Sequence, residues 1–129
     1  MIGIWASYSN IFLIVVGAAM LIVYGLPLMI VPLRWAKMFG WNVIQPENLT
    51  VILGQSLGIV ISLMAVFAFK AASTPAAKPF FFDMMIWLIG AMTILHVYGA
   101  IRKLQPKRET VEIILWVVLF LLTLCFYPV

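Results

Sequence analysis

The chain has 129 residues, 66% of them apolar, with a mean hydropathy of +1.19 and eight Lys/Arg against four Asp/Glu. Soluble domains run at about 45–50% apolar, so a water-soluble globular domain is excluded, and one domain of this length leaves no room for a separate soluble catalytic module. The net charge of +4 lies beside apolar runs, where anionic lipid headgroups rather than nucleic acid are its counterpart.

Four apolar runs follow one another, each long enough for a bilayer core of ~30 Å. They are continuous rather than alternating, and backbone groups left unpaired in lipid are costly, so helices are expected and not barrel strands. The expected fold is an all-α integral membrane protein, a single domain over 1–129 with four transmembrane helices in an antiparallel bundle.

The first helix, about 9–33, opens after Ser7-Tyr8-Ser9-Asn10. Residues 1–8 carry no charged side chain and no small-residue cleavage site follows, so this run is expected to stay as a helix and not to be removed as a signal peptide. Pro27 behind Gly25 should kink it. The connection 34–45 is aromatic and basic. Arg34, Trp35, Lys37 and Trp41 suit a segment anchored at the membrane surface, rings at headgroup level and charges outward. The alternative is that these aromatics dock on a neighbouring subunit.

The second helix, about 46–69, starts at Gln45-Pro46-Glu47, with proline and an acid where a helix N-terminus favours them. Gly54, Gly58, Ser62 and Ala65 form one stripe along it, with Gln55 at the edge. Small residues at this spacing let another helix approach closely, and the Gln amide can bond across the contact. The partner is either a helix of the same bundle or a helix of another subunit.

The third helix, about 80–101, follows Lys78-Pro79 and carries Asp83 in its first turn. That acid reads as helix-end stabilisation, or alternatively as part of a proton relay. Met85, Met92 and His96 fall within a narrow arc. Imidazole with thioethers suits Cu(I) or haem iron, but one helix cannot complete a coordination sphere and His96 is the only histidine. A core histidine bonded to a neighbouring helix is the plainer reading. No cofactor is therefore expected, haem, quinone and copper being the candidates weighed.

The fourth helix, about 109–128, follows Gln105-Pro106, with Glu109 and Glu112 at its start and Arg108–Glu112 at pairing distance. Its lone Cys125 has no partner for an internal disulfide. The preceding loop holds Arg102, Lys103, Lys107 and Arg108. Loops 34–45 and 102–108 together carry six cations against Lys70 and Lys78 on the opposite side. The positive-inside rule places these loops in the cytoplasm and both termini outside, in what reads as a bacterial inner membrane.

Two repeats hint at duplicated helical hairpins. Val23-Tyr24-Gly25 recurs as Val97-Tyr98-Gly99, and Gln45-Pro46 with Thr50-Val51 recurs as Gln105-Pro106 with Thr110-Val111. The general layout resembles that of small four-helix bacterial membrane proteins, among them the DoxX-like group; no motif carries residue roles over from it. Phosphate loops, zinc spacings, nucleophile elbows and paired carboxylates are absent from the sequence. The expected role is association, as an accessory or scaffold subunit of a larger membrane complex or as a homo-oligomer. The alternatives are a lipophilic-ligand binder near His96, Tyr98 and Trp87, and a minimal oligomeric transporter.

Overall fold

A computed structural model describes residues 2–43 and 48–129, and among these every regular element is helical. Helix α1 runs Ala6–Ile30, α2 Pro32–Met38, α3 Asn48–Ser73, α4 Lys78–Ile101 and α5 Lys107–Cys125. Among the described residues three segments, Ala6–Ile30, Asn48–Ser73 and Pro75–Ile101, are long and apolar enough to cross a membrane. That is one fewer than the four expected. Helix α5 has 19 residues and spends its first turns on Arg108, Glu109 and Glu112, which leaves a short apolar remainder.

The first helix departs from the expected 9–33 in its bounds and in its internal geometry. It begins with a 3-10 turn at Ala6–Tyr8 and widens to a π-helix over Met20–Gly25, just ahead of Pro27. Proline has no N–H to give and crowds the preceding turn, and a π segment absorbs that mismatch. The indole N–H of Trp35 donates to the Val23 carbonyl at 2.9 Å, the acceptor that an α-helical N–H at position 27 would have served. A second break falls at Val31, which precedes Pro32 and lies outside the α region with φ −135 and ψ 54.

The chain restarts as α2, so Arg34, Trp35 and Lys37 lie on a helix and not in the loop expected over 34–45. Gly40 ends α2 with φ +90. Its N–H bonds to the Lys37 carbonyl and the Trp41 N–H to the Ala36 carbonyl, both at 3.0 Å. This pairing is a Schellman cap, which glycine's left-handed conformation permits. The expected start of the second helix at Gln45-Pro46-Glu47 lies outside the described residues. Helix α3 continues to Ser73, past the expected end at 69; α4 starts at Lys78, and α5 spans 107–125 rather than 109–128.

Helix α1 packs along α3, and α4 along α5. The small-residue stripe of α3 faces α1 and the start of α2. A Cβ on Gly54 would meet Pro32, one on Gly58 would collide with the backbone of Gly25–Met29, and Gly25 lies against Ser62. Ala65 is fully buried beside Gly17. Gln55 is partly buried near this seam, and the Ser62 hydroxyl is buried without a partner among the described residues.

The two pairs are joined by a core at one end of the bundle. Phe12 and Leu13 of α1 meet Ala68, Ala71 and Ala72 of α3, and Phe81, Phe82, Met85 and Ile89 of α4. Phe12 stacks on Phe126 at 4.6 Å between centroids. The N-terminal segment then caps α5: the Gly3 N–H donates to the Leu124 carbonyl at 3.0 Å and the Trp5 N–H to the Cys125 carbonyl at 2.9 Å. At the end of a helix such carbonyls lose their i+4 donors, and the Leu124 carbonyl also takes the Tyr127 N–H at 3.3 Å. The Val-Tyr-Gly repeat does not extend to local geometry, because α4 runs uninterrupted through Val97-Tyr98-Gly99 while α1 is a π-helix at Val23-Tyr24-Gly25.

Candidate functional site

The opposite end of the bundle is polar, and it is built by two turns. Helix α4 ends in a second Schellman cap: the Leu104 N–H reaches the Gly99 carbonyl at 2.9 Å and the Lys103 N–H the Ala100 carbonyl at 3.1 Å. Lys103 takes the left-handed position, φ 55, that glycine usually fills. Gln105 then folds back across Gly99, where a Cβ would collide with its amide. Its Nε2 donates to the His96 carbonyl at 3.1 Å and to Thr110 Oγ1 at 3.3 Å. This fold-back starts α5 at the level of His96.

His96 and Glu109 are 7% and 8% exposed, and they face each other with Nε2 3.1 Å from Oε2. His96 Nδ1 lies 2.8 Å from the Met92 carbonyl. A carbonyl can only accept, so Nδ1 carries a hydrogen and Nε2 is the nitrogen turned to the carboxylate. One proton therefore lies between Nε2 and Oε2, on either the imidazole or the acid. The other carboxylate oxygen, Oε1, accepts from the Trp41 indole at 2.8 Å. Trp116 brings its indole N–H to 3.3 Å from Nε2. Glu112, one turn after Glu109 and partly buried, completes the group. The candidate ligand atoms of His96, Glu109 and Glu112 all lie within 4.8 Å of one another.

The expected arc of Met85, Met92 and His96 does not assemble. Met85 is packed into the apolar core at the far end, and Met92 serves His96 through its backbone carbonyl. His96 is bonded to a neighbouring helix, but through an ionisable partner. Arg108 donates to the Met38 carbonyl instead of pairing with Glu112, because Glu112 turns inward. Glu109 and Glu112 were legible as helix-start acids, and Glu112 as a partner for Arg108, but not as partners of His96. The missed signal is one of level: His96 lies five residues before the end of α4 and the acids lie in the first turns of α5, so an antiparallel hairpin brings them side by side.

The basic residues ring this end. Arg34, Lys37, Arg102, Lys103, Lys107 and Arg108 are exposed, and Arg102 lies 5.8 Å over the Tyr98 ring. Trp35 stacks on Phe39 at 4.2 Å and leans on Tyr24, so α2 is held against α1 of its own chain. An apolar groove of about 470 Å³ lies between α2 and α3, lined by Pro32, Trp35, Leu53 and Leu57, with Trp41 between it and Glu109. At the opposite end Asp83 accepts from the Tyr127 hydroxyl at 2.8 Å.

Comparison with protein-family models, curated proteins and solved structures gives no match. The fold and site define an all-helical protein with three helices suited to crossing a membrane and a buried His–Glu centre at one end.

Proposed function

We propose that the chain is a four-span protein of a bacterial inner membrane that works by association, as an accessory subunit of a larger assembly or as a homo-oligomer. Loops 34–45 and 102–108, with their six cations, face the cytoplasm in this reading, and both termini lie outside. Helix α5 is the fourth span. It runs beside α4, and its Glu109 is bonded to His96 and Trp41 inside the bundle, which reduces the cost of carrying that acid at the membrane edge.

The observation that carries association is Trp87. It is 81% exposed on α4, ten residues into a helix of 24, which puts it within about 5 Å of the helix midpoint. Tryptophan belongs at the headgroup level and not in mid-membrane. Trp35, Trp41 and Trp116 find acceptors within the chain, whereas no described residue accepts from Trp87. An indole N–H facing hydrocarbon is left unpaired at a cost, and a partner helix offering a carbonyl or hydroxyl removes it. Ile94, Tyr98 and Ile101 continue the same exposed stripe, while the small-residue stripe of α3 is already taken up by α1 and the start of α2.

The test is the mass of the native protein in mild detergent, for wild type and Trp87→Leu. Wild type is expected as a complex or oligomer, and the variant as a smaller species with unchanged helicity. A wild-type chain that runs as a lone monomer, or a variant with wild-type mass, overturns the reading.

A further inference from the structure

We propose that His96, Glu109 and Glu112 form a binding site for a divalent transition-metal cation of the zinc, manganese or iron(II) kind. Metal–ligand bonds to imidazole nitrogen and carboxylate oxygen are about 2.0–2.2 Å. Ligand atoms on one ion therefore lie roughly 3–4.4 Å apart, and the three candidates here already lie within 4.8 Å of one another. Small rotations of the two glutamates close the difference.

The surroundings are arranged as a metal site requires. A ligating histidine characteristically gives its other ring N–H to a carbonyl or carboxylate, which fixes its tautomer and aim. His96 does this through Met92, leaving Nε2 directed at the carboxylates. Glu109 is fixed in the same manner: Trp41 holds Oε1, and Oε2 is left inward. The charge also balances. Two carboxylates beside a neutral imidazole supply the two negative charges that a divalent ion neutralises, where two acids side by side would otherwise repel.

The donor set selects the class of ion. One nitrogen and two carboxylates suit zinc, manganese or iron(II), whereas magnesium and calcium prefer oxygen alone and Cu(I) prefers sulfur. Met85 lies in the apolar core and not at the site. An ion displaces the proton shared by Nε2 and Oε2, together with the Trp116 N–H that lies 3.3 Å from the same nitrogen. Metal uptake is thus an exchange of a proton for a cation. Three protein ligands leave a coordination position for water or a further ligand, on the side where Glu112 is partly exposed.

Cobalt(II) is the probe, added to chelator-treated protein in detergent and followed by its visible absorption and by titration calorimetry. One Co(II) per chain is expected, with a proton released, an absorption pattern of mixed nitrogen and oxygen ligands, and competition by Zn(II) but not by equimolar Mg(II). His96→Gln and Glu112→Gln should each weaken binding at least tenfold. Glu112→Gln is the safer variant, because its side chain is less buried. Trp41→Phe should weaken it about 10-fold or more by freeing the outer oxygen of Glu109. Absence of stoichiometric binding overturns the proposal, as does equal affinity in wild type and a folded Glu112→Gln variant, or Mg(II) binding as tightly as Co(II).

Discussion

Lys103 shows how much the polar end depends on a single backbone position. A lysine with φ 55 keeps its Cβ close to its own carbonyl, a conformation that costs an L-residue roughly 1–2 kcal/mol and costs glycine almost nothing. The cap is nevertheless formed, because Leu104 and Gln105 must turn back at that point for Glu109 to meet His96. Lys103→Gly should therefore stabilise the protein by about 1 kcal/mol, read as a higher midpoint in thermal or SDS unfolding. Its exposed ammonium makes no ion pair among the described residues that the change would remove. An unchanged or lowered midpoint counts against the strained-cap account.

Among the elements, α1 and α2 depart furthest from their sequence-level expectation. The apolar runs were legible because length and composition alone decide whether a helix can cross a membrane. That Pro27 would disturb the helix was legible, but not how, since whether the helix bends at Pro27 or opens into a π segment before it depends on what can satisfy the Val23 carbonyl. That acceptor is served by Trp35, twelve residues on and across the break at Val31. Spacing along one helix carries no trace of such a contact. The stripe Gly54, Gly58, Ser62 and Ala65 was legible as a close-packing surface, though not the helix that fills it. Trp35→Phe keeps a ring to stack on Phe39 and removes the N–H. It should cost about 1–3 kcal/mol for the orphaned carbonyl and loosen α2 from α1, measured as faster amide exchange over Pro32–Met38. Wild-type exchange there would show that stacking alone holds α2.

Taken whole, the molecule has two unlike ends. One is a polar centre within a basic ring; the other is aromatic, closed by Phe12, Phe82, Phe126 and Tyr127. Tyr127 follows α5 and ties it to α4 through Asp83. That hydrogen bond, with smaller contributions from burial and from the charge of Asp83, pushes the phenol above its usual value. The folded state holds this proton more tightly than an unfolded chain would. The contact accordingly contributes fully below the ordinary tyrosine range near 10 and is lost as pH rises through the raised folded-state value. Ultraviolet titration of phenolate should find a late-titrating tyrosine in wild type that is absent in Tyr127→Phe and returns toward the usual range in Asp83→Ala. A Tyr127 that titrates alike in wild type and Asp83→Ala would remove the link.

The clasp between the first residues and the end of α5 also sets an order of assembly. Gly3 and Trp5 are made before α1, yet their acceptors, the carbonyls of Leu124 and Cys125, are synthesised more than a hundred residues later. The α1–α3 pair, sealed by its own small-residue seam, can settle while α4 and α5 are still being made. Throughout that interval the N-terminal amides and Phe12 remain an open edge. Helix α5, made after α1 to α4, must dock both on that edge and along α4, where its first turns bring Glu109 to His96.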